Sequence, residues 1–344
     1  MPSLPRRDGT TSPTGSPRYD ALFANGVVSV MFGVGFDEDG ANRAVDTGVE
    51  EALLARGFAR DDALAVKLLR DSGREAPRAF AAHYVARGAV PEFNGAPVDA
   101  VLTLVRAGDG TAGEAAATAF TEGLERCDIA IYGGHGRYGT GPDFDYNFSA
   151  EIVDDKGAVE MSFRAYKDLE EELARQGRPK GRSALAQYRH LREKGRLRVQ
   201  RVNGGNLVVN LRNYHAGEFG SHLMVDQLAA DEGARRVSKL ALSKRYRVWL
   251  LHGCRTSDYL YNLRGSLADA NAAGLDLFVT RRVIYWDDIK DTLVAFYDGL
   301  VRRCTARELL EGMNVCNRPY ENERDADSLG ESHVADLSAP GGER

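Results

Sequence analysis

Residues Tyr246–Tyr259 read YRVWLLHGCRTSDY. The apolar run Val248 to Leu251 stops at His252-Gly253-Cys254, and the chain then turns polar. A short apolar run that ends at a glycine reads as a buried strand. A cysteine kept for packing sits more often inside such a run. Cys254 stands at the exit, where a strand hands the chain to a loop and a nucleophile can meet solvent.

Working outward, strand-like and helical segments alternate. On the N-terminal side, VVSVMFGVGF (27–36) is β-branched and apolar, and GANRAVDTGVEEALLARGF carries helical spacing at Val45, Val49, Leu53 and Leu54. ALAVKLLR (63–70) reads as a second strand, REAPRAFAAHYVARG as a helix, and DAVLTLVRAG (99–108) as a third strand. An alanine-rich helix (111–127) leads into the strand-like DIAIYGGHG (128–136). After Cys254 come a helix (256–274), the strand LDLFVTRRVIYW running into a second extended stretch, the helix DDIKDTLVAFYDGLVRRC and a last helix, TARELLEGMN. In that last helix Thr305 and Glu308 have capping-box spacing. Strands that alternate with helices predict parallel pairing and an α/β sheet covered on both faces. The middle is less regular. Phe148 to Phe163 reads as a hairpin turning at Asp155-Lys156-Gly157, followed by a charged helical stretch, a short strand NLVVNL and a helix GEFGSHLMVDQLAADEG.

The chain has 344 residues, 43% apolar and 28% charged, with a formal net charge of -5. That balance fits a globular protein and argues against a general nucleic-acid-binding surface. No segment approaches the ~20 apolar residues of a membrane span, and the N-terminus has two arginines with no apolar run behind them, unlike a secretory leader. Residues 1–17 and 317–344, rich in Pro, Ser, Gly and charge, read as disordered tails around one domain at 18–316, with an insert at about 141–245. The four cysteines, Cys127, Cys254, Cys304 and Cys316, include no CxxC pair and no Cys/His group with zinc-ligand spacing. Reduced thiols in a cytoplasmic setting are the simplest reading.

Two strand-like segments end alike, in IYGGHG and LLHGC. Parallel α/β sheets place reactive groups beyond the carboxyl ends of their strands. If the two segments are neighbours, His135 and Cys254 emerge side by side. An ordinary thiol, with a pKa of about 8.5, needs a basic neighbour to ionise at neutral pH, and imidazole is the usual one. The N–H groups of Gly136 and Cys254 could then face one oxygen as an oxyanion hole. Nucleophile, base and donors together make an acyl-transfer centre.

An apolar block ending in His-Gly, followed by an apolar block ending in Gly-Cys, resembles the caspase-like (clan CD) cysteine peptidases. GCRTSDY, AGLDLFVTRRVIYWDD and FYDGLVRRCTARELLEGM resemble the CHAT branch of that clan. The likeness covers 127–141 and 246–314; before these only the order of elements agrees. It implies a caspase-like three-layer α/β/α sandwich with a mostly parallel central sheet and an inserted hairpin and helical region. It implies a cysteine endopeptidase in which His135 is the general base, Cys254 the nucleophile and Gly136 an oxyanion donor. The substrate would be a protein or peptide, activity would be switched by a partner or signal, and neither cofactor nor metal is needed. Two features depart from the pattern. The blocks lie 119 residues apart, more than the family leads one to expect. The chain also reads HGCRT where caspases have Q-A-C-[RQG]-G.

His252 is a rival base, since residues two apart on a strand face the same way. A base from a separate strand fits the required hydrogen bond better, which leaves His252 to line the pocket. Trp286 is either a core residue or a wall of the substrate groove. Asp258 either caps the helix after Cys254 or pairs a basic substrate side chain. The pair His215/His222 suits surface or capping roles rather than metal binding. FGVGFDEDG lacks the third glycine of a dinucleotide fingerprint. Two other readings stand beside the peptidase: an inactive caspase-like scaffold that binds partners through its Arg/Lys-rich insert, and a nucleotide-binding α/β protein, against which the missing phosphate loop argues.

Overall fold

The computed structural model describes residues 15–35, 42–75, 82–107, 111–136, 142, 144, 148–163, 190–191, 193–202, 239–242, 245–254, 256, 267, 274–317 and 334–336. In chain order the described elements are α1 (Tyr19–Leu22), β1 (Val27–Val34), α2 (Asn42–Leu54), β2 (Ala59–Arg60), α3 (Asp62–Asp71), β3 (Ala82–Phe93), β4 (Ala96–Arg106), α4 (Thr111–Arg126), β5 (Ile129–Gly133), β6 (Phe148–Val153), β7 (Val159–Phe163), β8 (Leu197–Val202), β9 (Arg247–His252), β10 (Leu275–Thr280), α5 (Asp288–Val301), α6 (Ala306–Cys316) and β11 (Val334–Asp336).

Eight strands form one sheet in the order β11-β10-β9-β5-β1-β4-β3-β2. The five strands from β10 to β4 are mutually parallel, while β11, β3 and β2 add antiparallel pairings at the two ends. Every residue of β1, β5 and β9 is buried, as continuous apolar strands covered on both faces must be. One face carries α2, α5 and α6, whose Val49, Leu293, Phe296 and Met313 pack on Val30, Phe32, Ile131 and Leu250. The other carries α4, with Phe120 and Leu124 against Met31, Ala130 and Trp249, and α3, with Ala65 and Leu69 against Val85 and Val101. The fold is α/β, with a mostly parallel central sheet and helices on both faces, an arrangement compatible with a three-layer sandwich.

The order positions a site. From β1 the chain adds β4 on one side, then returns past β1 to add β5, β9 and β10 on the other. Such a reversal opens a crevice outside the carboxyl ends of the strands that flank it. Beneath the opposite edge, Asp128 accepts from Ser29 N and Oγ (both 2.8 Å) and pairs with Arg74 Nη2 at 3.0 Å, all buried.

Five expected stretches differ. ALAVKLLR is the helix α3, not a strand. Ala, Leu, Lys and Arg are strong helix formers, and Asp61 caps the helix by accepting from Leu64 N at 2.8 Å. The stretch expected as a helix around His83 is the strand β3. It turns into β4 at Asn94-Gly95, both at positive φ (52° and 83°), the backbone that a two-residue hairpin requires. The charged stretch before 203 contains β8, which joins β6 and β7 in a separate sheet of order β7-β6-β8. The hairpin within that sheet turns where expected, with Asp154 Oδ1 accepting from Lys156 N and Ala158 N. Val334–Asp336, inside the stretch read as a structureless tail, pairs antiparallel with β10. After β10 the extended stretch 281–285 is loop, not strand. NLVVNL, the helix after it, most of the helix after Cys254 and His215/His222 lie outside the described residues.

Candidate active site

β5 and β9 are adjacent and parallel, in register from Ile129↔Val248 to Gly133↔His252. Gly134 N donates to His252 O at 3.0 Å and carries the pairing one step further. Both chains then leave the sheet at the same level, one into His135-Gly136 and the other into Gly253-Cys254. The two exits pack directly on each other. A side chain at 253 would bring its Cβ 2.6 Å from Gly134 O, and one at 136 would lie 2.9 Å from the carbonyl carbon of Cys254. Only glycine allows backbones this close. The structure thus brings together His135, Gly136 and Cys254.

Each side chain is held by a third strand exit. Cys254 is half-buried, and its Sγ lies 3.8 Å from Ile284 O, the acceptor for its S–H. The His135 ring lies 5.0 Å from the Trp286 indole at a 40° tilt, and Tyr132 Oη donates to His135 O at 3.0 Å. Ile284 and Trp286 belong to the loop that leaves β10, which therefore touches nucleophile candidate and base candidate alike. Trp286 stands beside the pair and also packs against the core. Behind Gly133, Ile289 and Leu293 of α5 fill the space where a side chain would fall.

His252 does not line the cleft. It is 0% exposed, turned into the core beneath the site, with Nε2 2.9 Å from Asn317 Oδ1. Alternation along β9 places it on the face covered by α5 and α6, where no substrate reaches it. Asp258 lies outside the described residues. Asp287 occupies the position before α5, yet its side chain makes no cap hydrogen bond. Gly33, the first glycine of the FGVG stretch, is packed under Phe120 and Phe144, a close-packing reason for a glycine there.

Ile284, Tyr132, Thr292 and Asn317 join the site without a signal in the local sequence. The first acts through its carbonyl, which sequence does not mark. Asn317 meets His252, and Thr292 meets Asn317, only through the tertiary fold. None of the four cysteines is in a disulfide. Burial, then the Asp128 charge, pushes the Cys127 thiol up to about 12, so Cys127 has no reactive thiolate near neutral pH. Among the described residues no group of three or more His, Cys, Asp or Glu side chains could hold a metal ion, and no helix is long and apolar enough to cross a membrane. Compared with known proteins, the chain matches no family model, no curated protein and no solved structure.

Proposed function

We propose that this protein is a cysteine endopeptidase of caspase-like type, nearest the CHAT branch, acting on a protein or peptide substrate. The observation that carries the reading is the contact between the two strand exits, which sets the backbone of Gly136 against that of Cys254. The chemistry follows from the residues. His135 takes the Cys254 proton, and the thiolate attacks the scissile carbonyl. The N–H groups of Gly136 and Cys254 hold the resulting oxyanion. As the intermediate collapses, the C–N bond breaks and His135 returns the proton to the leaving amine. Water, deprotonated by His135, then hydrolyses the acyl-enzyme and restores the thiol.

In the present state the Cys254 S–H faces Ile284 O, an acceptor suited to a thiol and repulsive to a thiolate. Turning Sγ from Ile284 towards His135 is the step that a partner or signal would control. The same contact favours the second reading, an inactive scaffold in which Cys254 stays a packed thiol.

Alkylation with iodoacetamide, scored by mass at each cysteine from pH 5 to 9, separates the two. The peptidase reading expects Cys254 to label faster than Cys304 at pH 6, and His135→Ala to abolish the difference. A peptide library then reads the cut site. Labelling of Cys254 no faster than Cys304 in any variant, with no library peptide cut, sinks the peptidase reading and leaves the scaffold.

A further inference from the structure

Beneath the site a buried hydrogen-bonded chain ties the end of α6 to the strand that delivers Cys254. His252 Nε2 lies 2.9 Å from Asn317 Oδ1. Asn317 Nδ2 donates to Met313 O at 2.7 Å and to Thr292 Oγ1 at 3.0 Å. Thr292 Oγ1 donates to Asp288 O at 2.8 Å. His252, Thr292, Met313 and Asn317 are all at least nine-tenths buried. The directions are forced. A carbonyl accepts only, so Met313 O fixes which end of the Asn317 amide faces it. The Thr292 hydroxyl has spent its proton on Asp288 O, so it accepts from the same Nδ2. Oδ1 is therefore left for His252, and the imidazole must carry its proton on Nε2.

We propose that Asn317 and His252 form a positioning clamp that sets the height and direction of the β9 exit, and with it the placement of Cys254 against His135 and Gly136. Both residues act through the backbone; neither touches substrate. Three things support this. His252 is two residues before Cys254 and is the last residue of β9 paired with β5. Thr292 lies one residue before Leu293, which closes the space behind Gly133 at the end of β5. Asn317 is the C-cap of α6 and follows it directly, so one amide links the β9 exit, the helix packed under the β5 exit and the end of the last helix. The inference rests on the reading of Cys254 as nucleophile and base-paired to His135. It names the residues that hold that pair in place.

The test uses the full chain and the alkylation rate of Cys254 from pH 5 to 9, with two internal references. Cys127 is buried and labels only if the protein opens globally; Cys304, half-buried against the core, is the second reference. The variants are Asn317→Ala, His252→Leu and His252→Gln. Gln keeps an amide N–H near the position of Nε2 and serves as the conservative rescue. The clamp expects Asn317→Ala and His252→Leu each to lower the Cys254 rate at pH 6 by about tenfold or more, since a displacement near 1 Å costs on the order of 10²-fold in a positioned reaction. It expects the pH profile of that rate to move, His252→Gln to stay within about threefold of wild type, and the Asn317→Ala/His252→Leu double variant to be no worse than the worse single, as coupled residues behave. Should Asn317→Ala also expose Cys127, Thr292→Val decides, because it removes the second anchor of the amide at nearly constant shape. A purely structural role lowers the melting temperature and leaves the Cys254 rate and profile within about twofold of wild type in every variant that protects Cys127; that result overturns the clamp. The two hypotheses fail separately. Wild-type Cys254 against Cys304 tests the nucleophile, and variant against wild type tests the clamp, with a fall in rate marking a disturbed dyad and a rise marking an ordinary thiol newly exposed.

Discussion

Replacing Gly136 with alanine puts one methyl group into the tightest backbone contact of the site. Its Cβ would lie 2.9 Å from the carbonyl carbon of Cys254 and 3.0 Å from its nitrogen, and nearer still to its carbonyl oxygen. Ordinary van der Waals contact begins at 3.4 Å. The obstructing atoms are backbone, not the end of a flexible side chain, so one exit loop must move by about 1 Å to make room. Overpacking of this kind costs about 1–3 kcal/mol of stability. For a positioned nucleophile the kinetic loss is larger, because a shift of about 1 Å is worth on the order of 10²-fold in rate. The expected outcome is a fall of about a hundredfold in Cys254 alkylation at pH 6 and in hydrolysis of the best library peptide, with Cys127 still protected. Gly136→Ala that reacts within about threefold of wild type, with an unchanged melting temperature, would refute the claim that this contact sets the site.

Two further outcomes concern the scaffold. Asp128→Ala leaves the buried Arg74 guanidinium without its counter-charge and should cost about 3–5 kcal/mol in urea denaturation; a loss below about 1 kcal/mol would show the pair to be dispensable. Asp46 is pushed up to about 6 from 3.8, first by burial and then by Glu50, against the opposing pull of Arg106. A carboxyl raised on folding binds more protons in the native state, so its contribution to stability is full below about pH 4 and is lost as pH rises through about 6. Asp46→Asn should therefore stabilise the protein at pH 7.5 by about 1–3 kcal/mol and change little at pH 4, as read from denaturation midpoints at the two pH values; an equal effect at both would remove the titration argument.

Much of the fold was legible in local pattern. The run Val27 to Val34, the helix at Asn42–Leu54 and the capping box at Thr305 and Glu308 declare themselves because period, apolar content and cap chemistry act within a few residues. Two misreadings were also local. The apolar run of ALAVKLLR suggests a strand, although its helix formers and the cap at Asp61 point the other way. The Asn94-Gly95 hairpin signal was present and lost to the alanines before it. Short apolar runs do not separate helix from strand by period alone.

The residue types of the candidate site, His135 with its glycines and Cys254 at the end of an apolar run, were determined by the sequence itself, because each sits at a strand exit that local pattern reveals. Their adjacency was not. It depends on β9 pairing with β5 across 119 residues, a choice made by the order of strands in the sheet. The same holds for His252. Alternation along β9 says that it faces the same way as Cys254, but only the packing of α5 and α6 over that face turns it into a buried partner of Asn317 rather than a wall of the cleft. Propensity and capping are short-range and are written along the chain; pairing and burial are decided by which surfaces meet, and those surfaces come from distant parts of it.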